Sequence, residues 1–371
     1  MMHRWRLPGP QGYIAGVVRA LRDGFNVVSA TPAHGVSGLG DALRCILTDE
    51  GWMISGHFQD STLNTLDHLY SMMEIPDQDL TRRSISTLIA GLETGTVVII
   101  DGIKRSHWAE WKQFLSAYEA ASRGVPRSDR PLLLAVVEGT PVSELGRDCA
   151  ALRILAWQNV VGEFDVMLFV LESLRNGARK PGKARLLARI IARFSLWDFE
   201  LANQLAMTDE RLLFEPIDCL RSIAELLPAP EILEASWETG GMMLFDDVPL
   251  QHPYLLLADS SKHILLRRRL WEAQASDLLP LLETRRHYWA QQLRPIIRVP
   301  IRLGEQSFSD IDELEIGQLA FLAKQCNLKA SIRHATETLR RYRNKLAHLE
   351  PLAYSEAFDD ALEAAQAPTS L

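Results

Sequence analysis

Arg343, Asn344 and His348 lie within the stretch LRRYRNKLAHLEPL (339–352). They are residue types that can cleave RNA without a metal. That reaction needs a base for the 2′-hydroxyl proton, an acid for the leaving 5′-oxygen, and positive charge facing the phosphorane-like transition state. Histidine titrates near neutrality and can act as base or acid. Arginine is permanently cationic and offers a planar fork to phosphate. Spacing alone decides little, because 32 Arg and 10 His in 371 residues give roughly one Arg-x4-His by chance. On a helix the two residues are about 500° apart and so diverge by about 140°, which makes a shared phosphate hard to reach from one helix. Pro351 predicts that the helix ends near Glu350, with His348 in its last turn, where the dipole favours imidazolium. The plainer alternative is a basic helix end, with Arg343 in an ion pair and His348 bonded to terminal carbonyls.

A second place for phosphate chemistry is the loop TPAHGVSGLGDAL, with Gly35, Gly38 and Gly40, which follows the apolar FNVVSAT (25–31). Backbone N–H groups at a helix start can receive phosphate. Asp101, at the end of the apolar run TVVIID, has the type and place of a magnesium-positioning acid. The loop has no lysine, the first of the chain being Lys104, so ATP hydrolysis here is not expected. GARKPGKA (177–184) fits GxxxxGK with Gly177, Gly182 and Lys183, but Ala184 replaces the Ser/Thr and the region reads as helical. It is expected to be a basic loop between helices.

The elements that must position these residues follow from periodicity. Over 1–145, helices such as PGPQGYIAGVVRALRDG and HWAEWKQFLSAYEAAS alternate with buried strands at 25–31, 96–103 and 130–140. GWMISGHF is a further strand candidate, and DQDLTRRSISTLIAGLETG a helix closed by Gly95. Such alternation predicts βαβ units and a parallel sheet. Residues 146–240 read as helical, lid-like, and 241–371 as a helical bundle with a frayed tail, AQAPTSL. DVMLFVL (165–171) is a buried strand or core helix, too short to cross a membrane. The first residues carry no apolar run of the secretory kind. Cys45, Cys149, Cys219 and Cys326 are far apart, which predicts neither disulfides nor a zinc site and suits a reducing cytoplasm. Net charge is −7, yet Lys262–Lys345 holds sixteen Lys and Arg against nine Asp and Glu, +7, leaving −14 for the rest. A basic module on an acidic body suits nucleic acid or, equally, ion-paired helix faces. Aromatics on the basic helices are sparse, so no base-stacking platform is indicated.

Two resemblances join these features. FNVVSAT, the Gly-rich loop and GTVVIID resemble the core of P-loop NTPases of the AAA or STAND kind, in a degenerate form. RNKLAH, near the end of an Arg-rich helical stretch, resembles the HEPN superfamily signature: Arg, a polar residue that is often Asn, then His. This second resemblance spans about 255–366. It implies an endoribonuclease needing neither metal nor cofactor, with Arg343 binding phosphate, Asn344 orienting and His348 transferring protons. Arg340, Arg341 and Lys345 would line the RNA groove, and Glu272 or Asp277 would be the acid some members place on an earlier helix. It also implies a homodimer in which two motifs form one groove, RNA as partner, a cytoplasmic place, and a bacterial antiviral or toxin setting with further partner proteins. The other expectation is a non-catalytic regulatory or scaffold subunit whose pseudo-NTPase domain binds a partner.

Overall fold

The computed structural model describes residues 4–55, 65–72, 83–126, 129–149, 151–176, 180–226 and 234–363. Gly177, the tail after 363 and parts of GWMISGHF and DQDLTRRSISTLIAGLETG lie outside them. The chain divides into two compact units, one formed by 1–169, 196–201 and 228–255, the other by 170–195, 202–227 and 256–371.

The elements in chain order are α1 (Pro8–Arg22), β1 (Asn26–Thr31), α2 (Leu39–Asp49), β2 (Met53–Ser55), α3 (Thr65–Met72), α4 (Ile85–Gly91), β3 (Thr96–Lys104), α5 (Arg105–Ser122), β4 (Leu132–Glu138), α6 (Val142–Leu145) and β5 (Leu152–Ala156). There follow α7 (Glu163–Asn176), α8 (Pro181–Ser195), α9 (Phe199–Met207), α10 (Pro216–Leu226), β6 (Met242–Phe245), β7 (Val248–Gln251) and α11 (Pro253–Ala258). The last are α12 (His263–Leu293), β8 (Ile301–Leu303), β9 (Gln306–Phe308), α13 (Ile316–Gln325), α14 (Ala330–Ala347), α15 (Tyr354–Ala357) and α16 (Asp360–Glu363).

The first unit is built on a five-stranded parallel sheet in the order β2-β3-β4-β1-β5. Its inner strands are continuous apolar runs because both faces are covered. Trp108, Trp111, Phe114 and Tyr118 of α5 belong to the core that packs with Ile100, Leu133 and Ala135 of the sheet. The β3–β4 register shifts between Ile100 and Ile103, where Asp101 and Gly102 (φ 78°) leave the ladder. Such an irregularity re-aims a side chain at a strand end. Residues 152–156, expected to be helical, are the edge strand β5, partly buried along its whole length. DVMLFVL lies in α7.

In the second unit α12 runs for 31 residues with Pro280 inside it. It packs antiparallel to α14: Trp271 bonds Leu346, while Leu279 and Leu282 share a cavity wall with Leu339. Gln274, fully buried, accepts from the Leu352 N–H at 2.7 Å and donates to the Leu352 carbonyl at 2.9 Å. The β8–β9 hairpin interrupts the helices. Among the described residues no helix is long and apolar enough to cross a membrane.

Candidate functional site

The RNKLAH segment closes α14. The helix ends at Ala347, three residues before the end expected from Pro351, and His348 is its C-cap. Leu349 takes a left-handed conformation (φ 60°). The Glu350 N–H then bonds the Lys345 carbonyl at 2.9 Å and the Leu349 N–H that of Leu346 at 3.3 Å. This is a Schellman closure, a position where glycine is usual. The Trp271 indole N–H donates to the Leu346 carbonyl at 2.7 Å. With the Gln274–Leu352 pair, it fixes the end of α14 to α12. His348 itself is exposed.

The neighbouring cations are largely engaged. Arg343, half-exposed, sits 3.4 Å from Glu315 across a loose pair. Arg340 is bonded to Glu337, and Lys345 lies 2.9 Å from Glu356 and 3.6 Å from Glu350. Arg341 lies over the Tyr342 ring, whose hydroxyl donates to Asp359 at 2.7 Å. Asn344 is half-buried, and its carbonyl accepts the His348 N–H. A cavity of about 420 Å³ beside Arg343 is walled by Arg286 and four acids, Glu283, Asp312, Glu313 and Glu315. Glu272 pairs with Arg268 on its own helix, and buried Asp277 holds Arg189 at 2.7 Å and Arg185 at 3.3 Å.

In the first unit the Gly-rich loop enters α2 with Gly38 as its N-cap (φ 72°). Gly35 through Ala42 reads G-x4-G-D-A, so Asp41 and Ala42 occupy the places of the P-loop lysine and Ser/Thr. A Cβ on Gly40 would lie 1.9 Å from an Asp101 carboxylate oxygen, so only glycine lets that acid rest against the start of α2. Asp101 and Asp41 place negative charge at the helix start that a phosphate would need. Burial and the Asp101 charge push the Glu138 carboxyl up. Lys183 is in the first turn of α8, not in a loop. Its ammonium is 2.6 Å from Glu210 and 2.9 Å from the Tyr354 hydroxyl, over the Tyr354 and Phe358 rings.

Sequence reasoning passed over a cluster that the fold assembles beside this loop. Nε2 of His34, in the loop, lies 3.2 Å from Asp198 Oδ2, and Nε2 of His252, after β7, lies 3.3 Å from the same oxygen. Asp198 Oδ1 accepts the Glu200 and Leu201 N–H groups at 3.0 Å each, capping α9. Burial would raise the Asp198 carboxyl, but its bonds to His252 and His34 hold it well below the carboxylate range. The Ala33 N–H donates to Glu238, and a Cβ on Gly240 (φ 78°) would lie 2.6 Å from the His34 carbonyl oxygen, so the loop is pressed against 238–240. These contacts join remote segments and leave no local spacing to read.

No protein-family model and no curated protein matches this sequence. Among solved structures, the RuvB P216G mutant of Thermotoga maritima is similar at a TM-score of 0.34 and 11% identity, over 71% of this chain and 96% of that one.

Proposed function

We propose that the chain is a metal-independent endoribonuclease of the HEPN kind, the effector of a bacterial defence or toxin module. Arg343 binds the scissile phosphate, Asn344 orients it and His348 moves the proton. The observation that carries this reading is the exposed His348 at a helix end that Trp271 and Gln274 hold rigidly. A fixed backbone with a free imidazole is what a proton-transfer residue requires. The divergence expected of Arg343 and His348 from helix spacing supports a homodimeric working unit with two motifs facing one RNA. Asp41, standing where a P-loop lysine would be, supports reading the first unit as a controlling element that does not hydrolyse ATP.

The test is cleavage of several RNAs in EDTA by the wild type and by His348→Ala, with circular dichroism and sedimentation run on both. The reading predicts cleavage by a wild-type dimer alone, leaving 2′,3′-cyclic or 3′-phosphate ends. Equal activity of the two proteins, or none from a folded wild-type dimer, overturns it.

A second reading is favoured by the ion pairs that engage Arg340 and Lys345 and by the acidic wall beside Arg343. It is a non-catalytic regulatory or scaffold subunit that binds a partner protein or nucleic acid. It predicts that the His348→Ala protein retains every measurable property of the wild type.

A further inference from the structure

We infer that His34, Asp198 and His252 form a binding site for one divalent transition metal ion of the zinc type. The three side chains come from the loop after β1, the residue before α9 and the residue after β7, and their ligand atoms all lie within 4.8 Å of one another. His252 is fully buried, Asp198 is 6% exposed and His34 is 29% exposed.

The geometry admits an ion as well as a hydrogen-bonded cluster. A charge-assisted N–H···O bond to a carboxylate settles at about 2.7–2.9 Å. The two Nε2–Oδ2 separations are 3.2 and 3.3 Å, long for such bonds. Two ligand atoms bound about 2.0 Å from a tetrahedral ion are about 3.3 Å apart, which matches each of the two Nε2–Oδ2 pairs. Both imidazoles converge on a single oxygen, Oδ2, while Oδ1 is held by two backbone N–H groups of α9. Outer-sphere bonds of that kind aim a carboxylate ligand.

Two imidazoles and one carboxylate suit zinc and its borderline neighbours and do not suit magnesium or calcium. Three protein ligands leave a fourth position for water. Binding has one visible cost. The Tyr254 N–H approaches His252 Nδ1 at 3.3 Å, a contact in which Nδ1 is the acceptor. With Nε2 on a metal, the ring proton moves to Nδ1 and that contact opens. The proton held by His34 Nε2 is likewise shifted to its other nitrogen or released to solvent. The ion would tie the Gly-rich loop to α9 and to the β6–β7 hairpin. This site is separate from RNKLAH, so its test does not depend on RNA cleavage.

The experiment is titration of the chelator-treated full chain with Zn²⁺ and with Co²⁺, for the wild type and His34→Ala. Metal content, the Co²⁺ visible spectrum and the melting temperature are read without RNA. We expect one ion per chain, a four-coordinate Co²⁺ spectrum without thiolate charge-transfer bands, and a melting temperature that rises with Zn²⁺. His34→Ala should bind about 100-fold more weakly or worse and lose the Zn²⁺-dependent rise. Absence of a bound ion in the wild type, thiolate bands from the cysteines, or unchanged affinity in His34→Ala each overturns the inference. The wild-type spectrum decides the matter if the variant does not fold.

Discussion

The Trp271 indole N–H donates to the carbonyl oxygen of Leu346, two residues before His348, at 2.7 Å. That bond satisfies a last-turn carbonyl of α14 from a neighbouring helix, so the C-terminal motif is held by tertiary structure. Trp271→Phe keeps an aromatic ring and removes the donor. We expect a loss of about 1–2 kcal/mol in urea unfolding. Gln274→Leu strips partners from both the N–H and the carbonyl of buried Leu352, and should cost more, about 2–3 kcal/mol. Equal effects would show that the buried pair is no more important than the indole bond.

Leu349 holds a left-handed conformation at the residue after the C-cap, with φ 60° and an exposed side chain. A residue with a Cβ pays about 1–2 kcal/mol there. Leu349→Gly should therefore be neutral or stabilising by up to about 1 kcal/mol, since glycine also gains freedom in the unfolded chain. A loss of stability would show that the Leu349 side chain is held by contacts worth more than the backbone strain.

Glu110 on α5 accepts the Thr65 hydroxyl at 2.6 Å and the Thr65 N–H at 2.7 Å, at the start of α3. The hydroxyl bond, then the backbone bond, hold its carboxyl below the ordinary range. A carboxyl lowered by folding contributes stability that is present above its unfolded pKa and is lost as pH falls through its folded one. Glu110→Gln should flatten stability against pH over that acid interval, as read by unfolding at a series of pH values. An unchanged acid slope would place the effect on other carboxylates.

Lys183 resembles a P-loop lysine in sequence, yet it is pinned by Glu210, Tyr354 and Phe358. Lys183→Met leaves Glu210 with one partner fewer and should lower stability by about 1–3 kcal/mol. Nucleotide binding by equilibrium dialysis should be the same in Lys183→Met and wild type. A drop confined to the variant would restore a phosphate role to GARKPGKA.

The inner sheet was legible because β1, β3 and β4 are buried on both faces and so read as unbroken apolar runs. Edge strand β5 was not, since LRILA carries Arg153, whose guanidinium lies over the Phe25 ring and gives the strand no period. The β6–β7 hairpin has a turn of Asp246 and Asp247, both at positive φ, a two-residue signal easily lost among acidic residues. RNKLAH was legible as a helix end, although the cap that closes it relies on Leu349, where sequence rules look for glycine. His34, Asp198 and His252 meet only through the fold, and no spacing in the chain announces them.

The first unit is completed by late-arriving chain. Its Gly-rich loop follows the first strand, yet rests on Asp198, Glu238, Gly240 and His252, the last synthesised more than two hundred residues after His34. While a ribosome is still making the middle of the protein, the sheet can form but the loop has nothing to close on. The loop of the first unit is therefore completed late, once residue 252 has left the ribosome with part of the long helix α12 already made, and it has its resting place before RNKLAH is made.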